Sequence, residues 1–132
     1  HMQGDPDNMQ DNPEYDNVVE SIISFFTGKI NELEDSGIQN IILDPGFGFG
    51  KTIQDNFNIL KDLSLFQSLN KPLLVGLSRK SMIYKFLNIS PAEALNGTTA
   101  LNTLAIDKGA DILRVHDAKE ASECIKLIEN LN

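Results

Sequence analysis

The stretch Ile41-Ile42-Leu43-Asp44-Pro45-Gly46-Phe47-Gly48-Phe49-Gly50-Lys51 decides the fold class. Three consecutive apolar side chains suit a strand covered on both faces. Asp44-Pro45-Gly46 then halts it, because proline lacks an amide donor and glycine accepts turn geometry. The same pattern returns twice. Pro72-Leu73-Leu74-Val75-Gly76-Leu77 runs into Ser78-Arg79-Lys80-Ser81, and Ile112-Leu113-Arg114-Val115 runs into His116-Asp117. Strand exits near residues 44, 77 and 116 are separated by 33 and 39 residues, room for helices in each interval.

Helical periodicity flanks and fills those intervals. Val19, Ile22, Ile23, Phe26, Ile30 and Leu33 recur with a period near 3.6, which predicts a helix over about 15–35, stopped at Ser36-Gly37. Phe57, Leu60, Leu63 and Phe66 predict a second helix. A short helix near 80–88 and another near 97–108, ended by Gly109, precede the third strand. A final helix carries Ala121, Cys124, Ile125, Ile128 and Leu131 on one face. Strands alternating with helices define the α/β class, as part of a barrel or of a doubly wound sheet. An eight-stranded barrel takes about 250 residues, so as a barrel this chain supplies only three βα units and a preceding helix.

The 132 residues, 41% of them apolar, read as one domain over residues 1–132. Lys plus Arg number 11 against 19 Asp plus Glu, a formal charge of -8, which disfavours tracking along a nucleic-acid backbone. Six of the acids, Asp5, Asp7, Asp11, Glu14, Asp16 and Glu20, fall in residues 1–20 without a Lys or Arg between them, so residues 1–14 read as loop or flexible terminus. Cys124 is the single cysteine, which excludes an internal disulfide and fits a reducing cytoplasm. No apolar run approaches a membrane span and no charged-then-apolar leader precedes the first helix, so a soluble, unexported protein is expected.

Parallel α/β folds assemble their sites at the carboxyl ends of strands, where loops and helix N-termini converge. Arg79, Arg114 and His116, the two arginines and the one histidine after residue 1, all lie at these exits. Guanidinium, imidazole and a following helix N-terminus all suit phosphate, so Arg114 and His116, on one side of a period-2 strand, predict a phosphate or diphosphate pocket. The alternative is that they are tied up in ion pairs with Asp117 or Asp44. Asp44, a carboxylate ending an apolar strand, either reads the paired donors of an aminopyrimidine-like edge or caps its own turn. Lys80, just past a strand exit, either meets a ring carbonyl or stands solvated, as a lone lysine more often does. Gly50-Lys51-Thr52 echoes a nucleotide-binding loop, but position 45 is proline where that motif needs glycine. The glycines instead predict close backbone approach to a flat ligand beside Phe49.

DPGFGFGK, GLSRKSM and RVHD, in this order and at this spacing, resemble the dihydropteroate synthase family, and HMQGDPDNMQ resembles its segment after the fifth strand. The resemblance covers essentially the whole chain and implies the C-terminal part of a (β/α)8 barrel. It implies transfer of a dihydropterin, carried as its hydroxymethyl diphosphate, to p-aminobenzoate with loss of diphosphate. Carried over, Asp44 would bind the pterin's amino-pyrimidine edge, Lys80 its ring carbonyl and nitrogen, and Gly76 would allow its close approach. Arg114 would stack near the pterin and hold the diphosphate with His116. Phe49 and Ser78 would frame p-aminobenzoate, which is also the sulfonamide site.

The family's first four to five βα units have no counterpart here. With them go an Asn that meets Mg²⁺, two mobile loops and a second pterin carboxylate, so no metal ligand is assigned in this chain. An isolated chain of this kind is expected to be inactive and to self-associate, as a homodimer or otherwise. The alternative readings are a fragment that only self-associates and another pterin-binding barrel, such as a methyltetrahydrofolate methyltransferase.

Overall fold

In the computed structural model, residues 1–3 and 14–131 are described; most of the acidic opening expected as loop therefore lies outside the described residues. Helix α1 spans Val18–Asp35, three residues later than the periodicity suggests, because Asn17 fixes its start. The Asn17 side chain accepts from the amides of Val19 and Glu20 and satisfies donors that the first turn leaves open. Helix α2, Ile53–Lys61, opens on a capping box between Thr52 and Asp55. The helix expected through Phe66 breaks after Lys61 and continues as a 3₁₀ segment, Leu63–Leu69.

Strand β1, Leu74–Val75, leads to helix α3, Ser81–Leu87, and through a 3₁₀ turn, Pro91–Glu93, to helix α4, Leu95–Asp107. Strand β2, Ile112–Leu113, and helix α5, Ala118–Glu129, complete the order, with α4 and α5 packed along each other. β1 pairs in parallel with β2, Leu74 opposite Ile112 and Val75 opposite Leu113. On its other flank Leu43 forms a single parallel bridge to Leu73, through Leu43 N to Pro72 O and Leu74 N to Leu43 O. Three parallel segments thus lie in sequence order, as the βα alternation requires.

Two expectations about the strands need correction. The run Ile41–Leu43 is a one-residue bridge rather than a strand, and the other two strands shrink to two residues each, because ladder pairing among the described residues is limited to Leu43 with Leu73, Leu74 with Ile112 and Val75 with Leu113. Burial on both faces also fails. Leu73, Val75 and Leu77 are fully buried toward the helices, whereas Leu74 and Gly76 between them are only half-buried, and Ile42 and Ile112 are exposed. Ile22, Phe26, Ile59, Leu60, Leu63 and Phe66 fill the space between α1, α2 and the sheet. In α5, Ala121 and Cys124 are buried and Ile125 and Ile128 half-buried, while Leu131 lies past the helix end and is exposed.

Candidate functional site

The glycine-rich loop after Leu43 is organised from inside by a lysine. Lys51 is buried, and its Nζ donates to the carbonyls of Gly46 at 2.9 Å, Phe49 at 2.8 Å and His1 at 3.2 Å. Burial pulls its pKa down to about 8, against the opposing pull of Asp44 and Asp55. Buried Asn56 holds the loop from α2, accepting from Gly48 N at 2.7 Å and donating to Thr52 O at 2.6 Å. Gly46 and Gly48 have φ of +74° and +81°, a region that favours glycine, so the loop can double back at these points. Asp44 accepts from Gly46 N through Oδ1 at 2.8 Å. It therefore caps its own turn, and its Oδ2 accepts no hydrogen bond from any described residue.

The exit after β1 projects Ser78, Arg79 and Lys80 toward this loop. Lys80 Nζ stands 4.5 Å from the centre of the Phe49 ring, and its Cδ would lie 3.4 Å from a Cβ placed on Gly48, in ordinary van der Waals contact. Burial lowers the Lys80 pKa, the Arg114 charge lowers it further, and Asp44 opposes both. Ser78 is buried, and its Oγ accepts from His116 N at 3.1 Å and hydrogen-bonds His116 Nδ1 at 2.9 Å. The β2 exit then presents Arg114 and His116, both exposed, with half-buried Val115 between them, as period-2 geometry dictates. The Arg114 guanidinium makes no hydrogen bond or ion pair to any described residue, so the ion-pair alternative does not hold for it.

Phe49, Gly76, Ser78, Lys80, Arg114 and His116 line one open cavity of about 460 Å³, together with Arg79 and Val115. Six of the seven residues singled out from sequence meet there. Asp44 is not in the lining, although its charge is felt by both Lys51 and Lys80. Three further contributors have roles that the sequence reading did not assign. Arg79 binds Asp117 through two parallel contacts of 3.0 and 2.8 Å, and buried Lys51 and Asn56 shape the loop. Arg79 was visible as an arginine at a strand exit and Lys51 as part of the Gly50-Lys51-Thr52 echo of a nucleotide-binding loop, but neither inward role was legible; Asn56 gave no signal, because asparagine is normally solvated. No group of three His, Cys, Asp or Glu side chains able to hold a metal occurs among the described residues.

A cavity at the carboxyl ends of parallel strands, lined by Lys80, the Phe49 ring and an Arg114 guanidinium unpartnered among the described residues, sits where parallel α/β folds, barrel segments included, form their ligand sites. The chain belongs to the pterin binding enzymes, whose family pattern matches residues 1–116. It is 46% identical over 131 residues to dihydropteroate synthase of Escherichia coli K12, covering 98% of this chain and 46% of that protein. With the Haemophilus influenzae enzyme the identity is 44%, over 96% of this chain and 47% of the relative. The Yersinia pestis dihydropteroate synthase solved with a sulfonamide drug superposes with a TM-score of 0.95 at 44% identity, over 99% of this chain and 48% of that one. A Thermus thermophilus dihydropteroate synthase solved with 4-aminobenzoate gives 0.93 at 35% identity, over 99% and 54%. The chain spans about half the length of the relatives it matches, and its fold is a partial (β/α)8 barrel.

Proposed function

We propose that this chain provides the substrate-holding C-terminal part of a dihydropteroate synthase, a transferase of folate biosynthesis. The observation that carries the reading is the convergence of Phe49, Gly76, Ser78, Lys80, Arg114 and His116 on one cavity, with the Arg114 fork unengaged. Lys80 donates to the pterin's ring carbonyl and nitrogen, and the free Oδ2 side of Asp44 faces its amino-pyrimidine edge. Arg114 and His116 hold the diphosphate, while Phe49 and Ser78 frame p-aminobenzoate or a sulfonamide in its place.

The amine nitrogen of p-aminobenzoate attacks the pterin's methylene carbon as the carbon–oxygen bond to diphosphate breaks. Diphosphate leaves with the bonding electrons and the amine gives a proton to water. Charge grows on the leaving oxygen, so donors fixed on the diphosphate stabilise the transition state more than the ground state. The Mg²⁺ implied by the family belongs, on this reading, to βα units outside this chain, and the cytoplasm is where such an enzyme would work.

Isothermal titration of the chain with a pterin analogue tests the binding role. Saturable heat that is lost in Lys80→Ala supports it, and an absence of heat at any accessible concentration overturns it. Turnover is expected to be undetectable in the isolated chain; release of diphosphate from the pterin substrate in the presence of p-aminobenzoate, at a rate near that of a full-length relative, would contradict this.

A further inference from the structure

Arg79 poses a puzzle, because it lines an anion-seeking cavity yet turns its donors away from it. Nε and Nη2 bind the two carboxylate oxygens of Asp117, Nη1 donates to the carbonyls of Pro91 and Ala92, and the backbone amide donates to Thr98 Oγ1. The Arg79 and Asp117 side chains are 24% and 19% exposed, so the pair is largely shielded from water. Arg79 also holds a φ of +52°, unusual for a residue with a side chain, so the surrounding contacts fix its backbone.

Asp117 occupies the N-cap position of α5, where an aspartate ordinarily accepts from amides of the first turn. Here its side chain makes no cap bond. It also follows His116 directly; the Arg79 hydrogen bonds above all, and then the Arg79 and His116 charges, hold its carboxyl below the usual carboxylate range, against an opposing pull from burial. Around this carboxylate stand Arg79, His116 and Glu120 of the α5 first turn, with Lys80 and Arg114 across the cavity. Were Asp117 released, its charge would turn to the His116 imidazole or to the α5 amides, the same donors a diphosphate needs.

We propose that Arg79 is a positioning residue that withdraws Asp117 from the anion pocket, leaving Arg114, His116 and the first turn of α5 open to a diphosphate-bearing substrate. This role presupposes the anion function given above to Arg114 and His116, and it names the residue on which that function depends.

The test compares the chain with Arg79→Gln, Arg79→Gln/Asp117→Asn and Asp117→Ala, reading the His116 titration by NMR and inorganic diphosphate binding by calorimetry. Arg79→Gln should raise the His116 midpoint, as a freed carboxylate does to a neighbouring imidazole, and weaken diphosphate several-fold. The double variant should restore both readouts. Asp117→Ala, which keeps Arg79 and its carbonyl contacts, should bind diphosphate no more weakly than the unmodified chain, and it decides the matter if Arg79→Gln fails to fold. An unmoved His116 midpoint, a double variant as weak as the single, or loss of binding in Asp117→Ala would each overturn the proposal. If the unmodified chain gives no diphosphate heat, the anion role itself falls, and the His116 titration still decides whether Arg79 withdraws Asp117.

Discussion

Arg114 and Lys51 show how differently two cations are used within one loop cluster. Arg114 is exposed with its fork open, which is what a diphosphate ligand requires. In the full-length protein, Arg114→Ala or His116→Ala should lower kcat/KM by at least about tenfold, since a hydrogen bond to a charged group is worth about 1.5–3 kcal/mol. Steady-state kinetics indistinguishable from wild type would remove either residue from the anion role. Lys51, by contrast, faces inward, and its pKa falls from 10.5 to about 8. Between those two values the unfolded chain binds the proton that the folded chain has lost, so stability rises with pH across that window and Lys51 adds nothing further outside it. Denaturant midpoints measured at about pH 7 and about pH 9.5 should therefore climb in the parent relative to Lys51→Met. A constant difference between the two proteins would place the Lys51 pKa at its ordinary value.

At the scale of the element, the extended segment 73–77 that contains β1 divides its side chains between two tasks. Leu73, Val75 and Leu77 anchor the strand in the core, while Gly76 on the alternate face floors the cavity. A Cβ at Gly76 would lie 3.9 Å from the Arg114 Cβ, ordinary van der Waals contact, and the protein's own packing does not demand glycine there. Gly76→Ala should leave the thermal midpoint nearly unchanged while weakening binding of a pterin analogue. Equal loss of stability and affinity would assign Gly76 to the fold alone. The neighbouring loop is tied to α2 by its cap: Thr52→Ala removes the acceptor for Asp55 N and the donor to the Asp55 carboxylate, and should cost about 1 kcal/mol of stability by denaturant unfolding. A change within error would mean that Asp55 alone holds the turn.

At the scale of the whole molecule, the three parallel segments leave amides and carbonyls without ladder partners on their outer flanks among the described residues. Ile38, Ile42, Phe25 and Leu127 are also exposed, at 47, 57, 44 and 71%. At roughly 25 cal/mol per Å², a few hundred Å² of apolar surface left in water forgoes on the order of several kcal/mol, comparable with a domain's stability of about 5–15 kcal/mol. Association relieves that deficit. Light scattering of the isolated chain should show species heavier than 14.6 kDa whose share grows with concentration. A single 14.6 kDa species across the micromolar range, unfolding cooperatively, would rule this out.

The sequence by itself determined the class of fold, because the alternation of apolar runs with 3.6-residue periods is a local property. It also pointed to residues that meet in one cavity, because Arg114 and His116 at strand exits and the glycines around Phe49 are legible without any partner residue. The extent of the strands was not legible, since a strand is defined by its neighbours and Ile41–Leu43 pairs at one position only. Nor could sequence choose between the two readings of Asp44, or say which base Asp117 would meet. The structure turns Asp44 Oδ1 onto Gly46 N and gives Asp117 to Arg79, 38 residues away along the chain. Which acid meets which base depends on distances between separate loops, and only the packing of β1, β2 and α5 brings those loops together.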